Sequence, residues 1–163
     1  MIIVKNNGYL EYKNFKFRCA LGKAGVKTKI QEGDNITPKG TYKILNIYYR
    51  KDRIKKITSN FRPIEISKDM CWCDDPKSKK YNQLIKLPNR YSHEKFFKKD
   101  NSYDLIVILN YNINPIIKNK GSAIFIHIAK KNYKSTAGCI ALKKDDLLKL
   151  IKIIDTNTKI FIK

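Results

Sequence analysis

A β-dominated α+β fold is what this sequence predicts, and three observations carry that reading. Short runs rich in β-branched and aromatic residues follow one another from the N-terminus. Two apolar runs in the last third, residues 105–109 and 123–128, have the length of strands. Only one segment, beginning at Asp145, repeats its apolar residues at helical spacing.

Taken in order, residues 1–4, 9–12, 15–21 and 42–49 read as strands. Asn6-Asn7-Gly8 separates the first two, and Gly33, Asp34, Asn35, Pro38 and Gly40 supply the turn formers of an irregular loop over 32–40. Residues 51–56 are strongly basic, 64–66 suit a short strand, and 74–80 are polar and turn-like. Residues 92–99 predict one or two helical turns, with Ser92 as a cap for Glu94 to Lys98. Beyond them, 103–111 and 121–129 read as buried strands. Asp145 and Asp146 open a helix whose one face carries Leu147, Leu148, Ile151 and Ile154, and 159–162 close the chain as a strand. No repeat, low-complexity tract or linker divides the sequence, so a single domain over 1–163 is expected.

Composition narrows the function classes. A chain of 163 residues buries roughly two-thirds of its unfolded surface as one unit, and its 42% hydrophobic residues recur along the whole length, which excludes disorder. No apolar run approaches the roughly 20 residues that a bilayer requires. The formal charge of +21, from 35 Lys+Arg against 14 Asp+Glu, is the footprint of a polyanion binder. Lysine dominates that excess and the chain is also heavy in Asn and Ile, a bias that an AT-rich genome produces equally well. A basic nucleic-acid-binding module therefore stays open, but scarce arginine speaks against specific readout. Residues 1–8 lack the apolar run of a secretory signal, so no export address is expected and a cytoplasmic location remains an alternative. The four cysteines could form two disulfides, which a domain of this length does not require.

The chemistry concentrates near the C-terminal end. His127 ends an apolar strand, and Cys139 follows the small-residue turn Ser135-Thr136-Ala137-Gly138. A cysteine nucleophile needs a base to take its proton or a cation to hold it as thiolate, and a histidine within reach supplies either. A strand, a loop and a return turn close the intervening distance. Gly138 allows a sharp turn that aims backbone N–H groups at a substrate oxyanion, and Lys130, Lys131 and Lys134 would favour the thiolate. The residues alone leave another reading open, in which Cys139 packs and His127 is a satisfied core histidine.

Thr136-Ala137-Gly138-Cys139-Ile140, preceded by a His on an apolar strand, resembles the Ser/Thr-x-Gly-Cys-Val/Ile signature of the L,D-transpeptidase (YkuD-type) catalytic domain. Gly33-Asp34 followed by Thr37-Pro38-x-Gly40 is similar to the early GDxxTPxG loop of that family, and the likeness runs over nearly the whole chain. The resemblance implies a mixed β-sandwich with one or two short helices, and a small stand-alone peptidoglycan L,D-transpeptidase acting in cell wall biogenesis and cell shape. Its Cys attacks the carbonyl between the third and fourth residues of a stem peptide. Terminal D-alanine leaves, and an amine of a second stem resolves the thioester as a 3→3 crosslink. Carried over by position, Cys139 is the nucleophile, His127 the base, Gly138 the turn beside the nucleophile, Ile128 the carbonyl that orients the imidazole, and Thr136 part of the substrate-binding surface. The resemblance further implies a carbapenem adduct at Cys139, no metal or organic cofactor, a monomer, and action in the cell envelope or periplasm. Ile128 and Ala141 stand where the family commonly has Gly and Arg or Asn, which leaves amidase- or carboxypeptidase-like hydrolysis of the same stem peptides as an alternative.

Other residues carry paired expectations. Trp72, the only tryptophan, lies in a polar segment and either lines a substrate groove or packs in a satellite core; Asp74 or Asp75 would then meet the substrate amine. His93 belongs to the same groove or is solvated. Arg18 forks onto a substrate carboxylate or pairs with Asp34 or Glu32. Tyr81 and Asn82 are weaker candidates. Cys71-Trp72-Cys73 has no second pair of ligands and is a poor zinc pattern.

Overall fold

The computed structural model describes residues 1–163. Its first strands, β1 (Ile2–Lys5), β2 (Tyr9–Tyr12) and β3 (Phe15–Ala20), form an antiparallel meander. A two-residue parallel pair follows, β4 (Val26–Lys27) with β5 (Thr37–Pro38), and then the long β6 (Gly40–Tyr49) and β7 (Ile64–Glu65). Three short strands, β8 (Met70–Cys73), β9 (Leu84–Lys86) and β10 (His93–Lys95), make a separate sheet in the order β10-β8-β9. The chain ends with β11 (Leu105–Leu109), β12 (Phe125–Ile128), β13 (Ile140–Leu142), the helix α1 (Lys144–Ile153) and β14 (Lys159–Ile162). No helix is long and apolar enough to cross a membrane.

The main sheet has nine strands in the order β11-β12-β13-β3-β2-β1-β14-β6-β7. β6 pairs with β14 through Gly40 to Lys43 and with β11 through Ile44 to Tyr49, and β3 similarly passes from β2 to β13. The sheet therefore folds over into a sandwich joined at both ends. Ile2, Val4, Leu10 and Ile160 from one half meet Val107, Ile126 and Ile140 from the other in the main core, which Leu147, Leu150 and Ile151 of α1 complete.

Burial of both faces explains the unbroken apolar runs of β11 and β12. Leu105, Val107 and Leu109 enter the main core, whereas Ile106 and Ile108 enter a second one with Phe125, Trp72, Phe96 and Tyr103. The small sheet supplies Trp72 to this second core, and Phe96 follows directly after β10. By the same alternation Ile126 and Ile140 face the main core, which sends Phe125 and Cys139 to the other face, with His127 two positions along from Phe125.

Two expectations are corrected. Residues 92–99 hold strand β10, not a helix: His93 and Lys95 register with Cys73 and Cys71, and ladder bonds to β8 outcompete one or two helical turns that cannot sustain themselves. The run 121–129 is a strand only over Phe125–Ile128, because Gly121 (φ 99°) and Ala123 (φ 53°) turn the preceding backbone out of extended geometry.

Candidate active site

Parallel pairing of β12 with β13 sets Ile126 against Ile140 and His127 against Ala141. His127 on β12 and Cys139, the residue just before β13, thus lie side by side on the face turned away from the main core. Both line one cavity of about 230 Å³. His127 Nδ1 lies 3.0 Å from the carbonyl oxygen of Ile128. A carbonyl only accepts, so Nδ1 carries the hydrogen and Nε2 is left with its lone pair. The Tyr103 ring stands edge-on to the imidazole at 5.2 Å and holds its plane.

The turn before Cys139 is latched by one hydroxyl. Thr136 Oγ1 donates to the Cys139 carbonyl at 2.6 Å and accepts the Gly138 N–H at 3.1 Å. Thr136 is itself tied to the segment just after β3, where its N–H reaches the Leu21 carbonyl and its carbonyl takes the Lys23 N–H. Gly138 has φ 140°, and a Cβ there would stand 2.8 Å from the Ile36 carbonyl oxygen. The glycine therefore lets the turn lie flat on the loop after Gly33. Asp34 organises that loop: its carboxylate takes Lys29 Nζ at 2.5 Å and the N–H groups of Ile30, Gln31 and Ile36. Burial alone would raise its pKa, but these donors bring it down to about 2. The N–H of Cys139 has no acceptor within the chain.

Electrostatics in the cavity departs from the sequence expectation. Burial pushes the Cys139 thiol up to about 12, and a backbone hydrogen bond at Phe125 with the charges of Lys98 and Lys29 offsets only part of this. The loop lysines Lys130, Lys131 and Lys134 do not create a thiolate. Burial likewise takes His127 down to about 4, against the Ile128 hydrogen bond. The resting pair is neutral thiol and neutral imidazole. The thiol donates to the Ala123 carbonyl at 3.1 Å.

Several residues that sequence reasoning passed over complete the site. Glu94, Lys98 and Tyr103 line the cavity with Cys139; Glu94 and Lys98 form an ion pair, and the Lys98 ammonium lies 3.8 Å from the centre of the Tyr103 ring. Asn82, rated weak from sequence, is fully used. Its Oδ1 accepts the Trp72 indole N–H and the Ala123 N–H, and its Nδ2 donates to the carbonyls of Tyr111 and Asn112. Tyr81 donates to Glu32 at 2.5 Å and accepts the Gly121 N–H. Together they fix residues 121–123, and with them the carbonyl that holds the thiol. A second cavity of about 120 Å³ reaches Cys139 from this side, past Ala123, Ser122 and Asp74.

The remaining predicted residues lie elsewhere. Trp72 lines neither cavity: it is in β8, stacks on Phe96 at 6.3 Å and meets Phe125 edge-on at 5.4 Å, since an aromatic core was available to take the ring. Arg18 forms no pair with Asp34 or Glu32, whose partners are Lys29 and Tyr81. It lies against the Tyr133 ring in a separate depression that does not include Cys139. His93 sits on β10 with Nδ1 donating to the Tyr91 carbonyl, outside both cavities. The four cysteines are all unpaired.

The family model of the L,D-transpeptidase catalytic domain (YkuD) matches residues 1–162. Among solved structures, Bd1075 of Bdellovibrio bacteriovorus shares 16% identity at a TM-score of 0.53, covering 100% of this chain and 47% of that one. L,D-transpeptidase 1 of Mycobacterium tuberculosis follows with 13% identity and a TM-score of 0.43 over 99% of this chain and 60% of that one. An L,D-transpeptidase of Mycobacterium smegmatis gives 13% and 0.42 over 99% and 57%. The chain thus spans about half of the first of these structures and under two-thirds of the others. No curated protein matches it.

Proposed function

Since the chain belongs to the L,D-transpeptidase (YkuD) catalytic-domain family, we propose that it is a cysteine acyltransferase of peptidoglycan stem peptides, with Cys139 as nucleophile and His127 as base. The observation that carries this reading is the shared cavity of Cys139 and His127, in which the Ile128 carbonyl fixes the imidazole tautomer and leaves Nε2 as the free acceptor.

The chemistry follows from two neutral partners. Substrate entering the cavity displaces the thiol from the Ala123 carbonyl. As sulfur attacks the stem-peptide carbonyl carbon, its proton passes to His127 Nε2, so no isolated thiolate forms in the buried site. The Cys139 N–H stabilises the resulting oxyanion. Collapse breaks the peptide C–N bond, and the imidazolium returns its proton to the departing D-alanine amine, leaving a thioester. The amine of a second stem then adds to the thioester, gives a proton to His127, and the C–S bond breaks as sulfur recovers that proton. Water in place of the amine gives hydrolysis. Lys98, Lys130 and Lys134, which line the same cavity, favour the carboxylates of an incoming stem. Thr136 positions the nucleophile through the turn. The cell envelope is the compartment this chemistry requires.

Incubation of the purified chain with disaccharide-tetrapeptides, followed by mass spectrometry, tests the reading. Crosslinked dimers with loss of one D-alanine are expected. Tripeptide products alone make the chain a hydrolase of the same substrates, and unchanged substrate removes it from stem-peptide chemistry.

A further inference from the structure

We propose that the smaller cavity beside Cys139 receives the primary ammonium of the acceptor, held by Asp74 and Ser122; the assignment rests on the acyl-transfer reading and gives its second substrate a place. The cavity, about 120 Å³, has Cys139 and Ala123 in its wall together with Asp74, Glu32 and Ser122. That volume suits the aminoalkyl end of a chain. In a protein with 35 Lys+Arg, the carboxylates of Asp74 and Glu32 enter no ion pair. Lys29, also in the wall, is engaged by Asp34, and Glu94 by Lys98. Negative charge therefore remains uncompensated here, in contrast to the neighbouring cavity with its lysines.

The polar atoms lack partners as well as counter-charge. Asp74 Oδ1 and Ser122 Oγ are both buried with no hydrogen bond, and Ser122 is only 5% exposed. Native chains seldom leave such atoms unsatisfied without a ligand to meet them. A primary ammonium supplies the missing charge and three N–H donors in one group. The acids, histidines and cysteines are nowhere grouped in threes able to hold a metal ion, so an organic cation is the better match.

Placement gives the two cavities different tasks. The donor stem, arriving beside His127 and the lysines, leaves its acyl group on Cys139. The ammonium, bound on the Asp74 side, loses one proton to solvent. The free amine attacks the thioester carbon, the C–N bond forms, the C–S bond breaks, and the second proton reaches sulfur through His127.

The full chain and Nα-acetyl-lysine amide, whose only charge is its ammonium, provide the test, with the Nε-acetylated compound as the uncharged control. Titrated into ¹⁵N-labelled protein, the charged probe is expected to shift the amide signals of Asp74, Ser122 and Ala123 saturably. Asp74→Asn is expected to weaken it about tenfold, and Ser122→Ala about threefold. Equal binding of both probes, or shifts that ignore this segment, would overturn the site, as would full affinity in both variants. Once Cys139 is acylated, Asp74→Asn is expected to lower the ratio of aminolysis to hydrolysis by the same tenfold, and an unchanged ratio counts against the assignment. Probe binding without any thioester at Cys139 upholds the site and removes the acyl-transfer reading. A thioester without probe binding does the opposite.

Discussion

The Cys139 thiol donates to the Ala123 carbonyl oxygen 3.1 Å away, so the resting sulfur is tied to backbone and not to the His127 imidazole. Ala123 is in turn held by Asn82, which also anchors the Trp72 indole. The thiol is thereby kept protonated and in place by a chain of groups reaching into the aromatic core. On the proposed mechanism, substrate draws the thiol proton away from this carbonyl before His127 takes it.

A flat pH profile for thioester formation follows. His127 at about 4 and Cys139 at about 12 keep both groups in their reactive neutral forms across the intervening range. The second-order rate of carbapenem acylation should therefore be nearly constant between about pH 5.5 and about pH 9. A limb of unit slope near pH 6.5 would mean that the pair works as thiolate and imidazolium.

Stability should fall as the medium is acidified through the ordinary histidine range. The folded pKa of His127, about 4, lies below the unfolded value of 6.5, so between them the unfolded chain binds a proton that the folded chain refuses. Stability attributable to this group is complete above pH 6.5 and is lost as pH falls toward 4, by about 3 kcal/mol. Chemical denaturation of wild type and His127→Asn at pH 7 and pH 4.5 measures it. The variant should lose less stability than wild type between the two conditions.

Thr136→Val should slow acylation more than it slows folding. The change removes a donor to the Cys139 carbonyl and an acceptor for the Gly138 N–H, at a stability cost of about 2 kcal/mol. Stopped-flow acylation is expected to drop at least tenfold, and Thr136→Ser, which keeps the hydroxyl, should restore most of the rate. Equal loss in Thr136→Ser would show that the hydroxyl latch does not set the rate.

Asn82→Ala should unfold the chain at lower denaturant. Two donors, the Trp72 indole and the Ala123 N–H, lose their shared acceptor, which costs about 3 kcal/mol in total. Tryptophan fluorescence reports this directly, because Trp72 is the sole emitter of its kind. A midpoint equal to wild type would show that the network carries no load.

Legibility in the sequence followed the length and contiguity of the signals. Strands β1, β2, β6 and β14 could be read because their apolar patterns are strong, and His127 and Cys139 because one short stretch of chain contains both. The small sheet β10-β8-β9 was not legible: its strands have three or four residues with mixed polarity, and only pairing in three dimensions makes them strands. The same gap hid Glu94, Lys98 and Tyr103, which reach the cavity through that sheet and the segment after it. For Trp72 the sequence leaves groove and satellite core open, and its polar neighbourhood in sequence becomes an aromatic one in space. Loop lysines misled, since burial of Cys139 outweighs charges that solvent screens.

The most direct test of the central claim is the intact mass of the chain after incubation with a carbapenem. Wild type is expected to gain the mass of one drug molecule, mapped by peptide digestion to Cys139, and Cys139→Ala to gain none. Acylation of Cys139→Ala at the wild-type rate would contradict the assignment of Cys139 as the nucleophile.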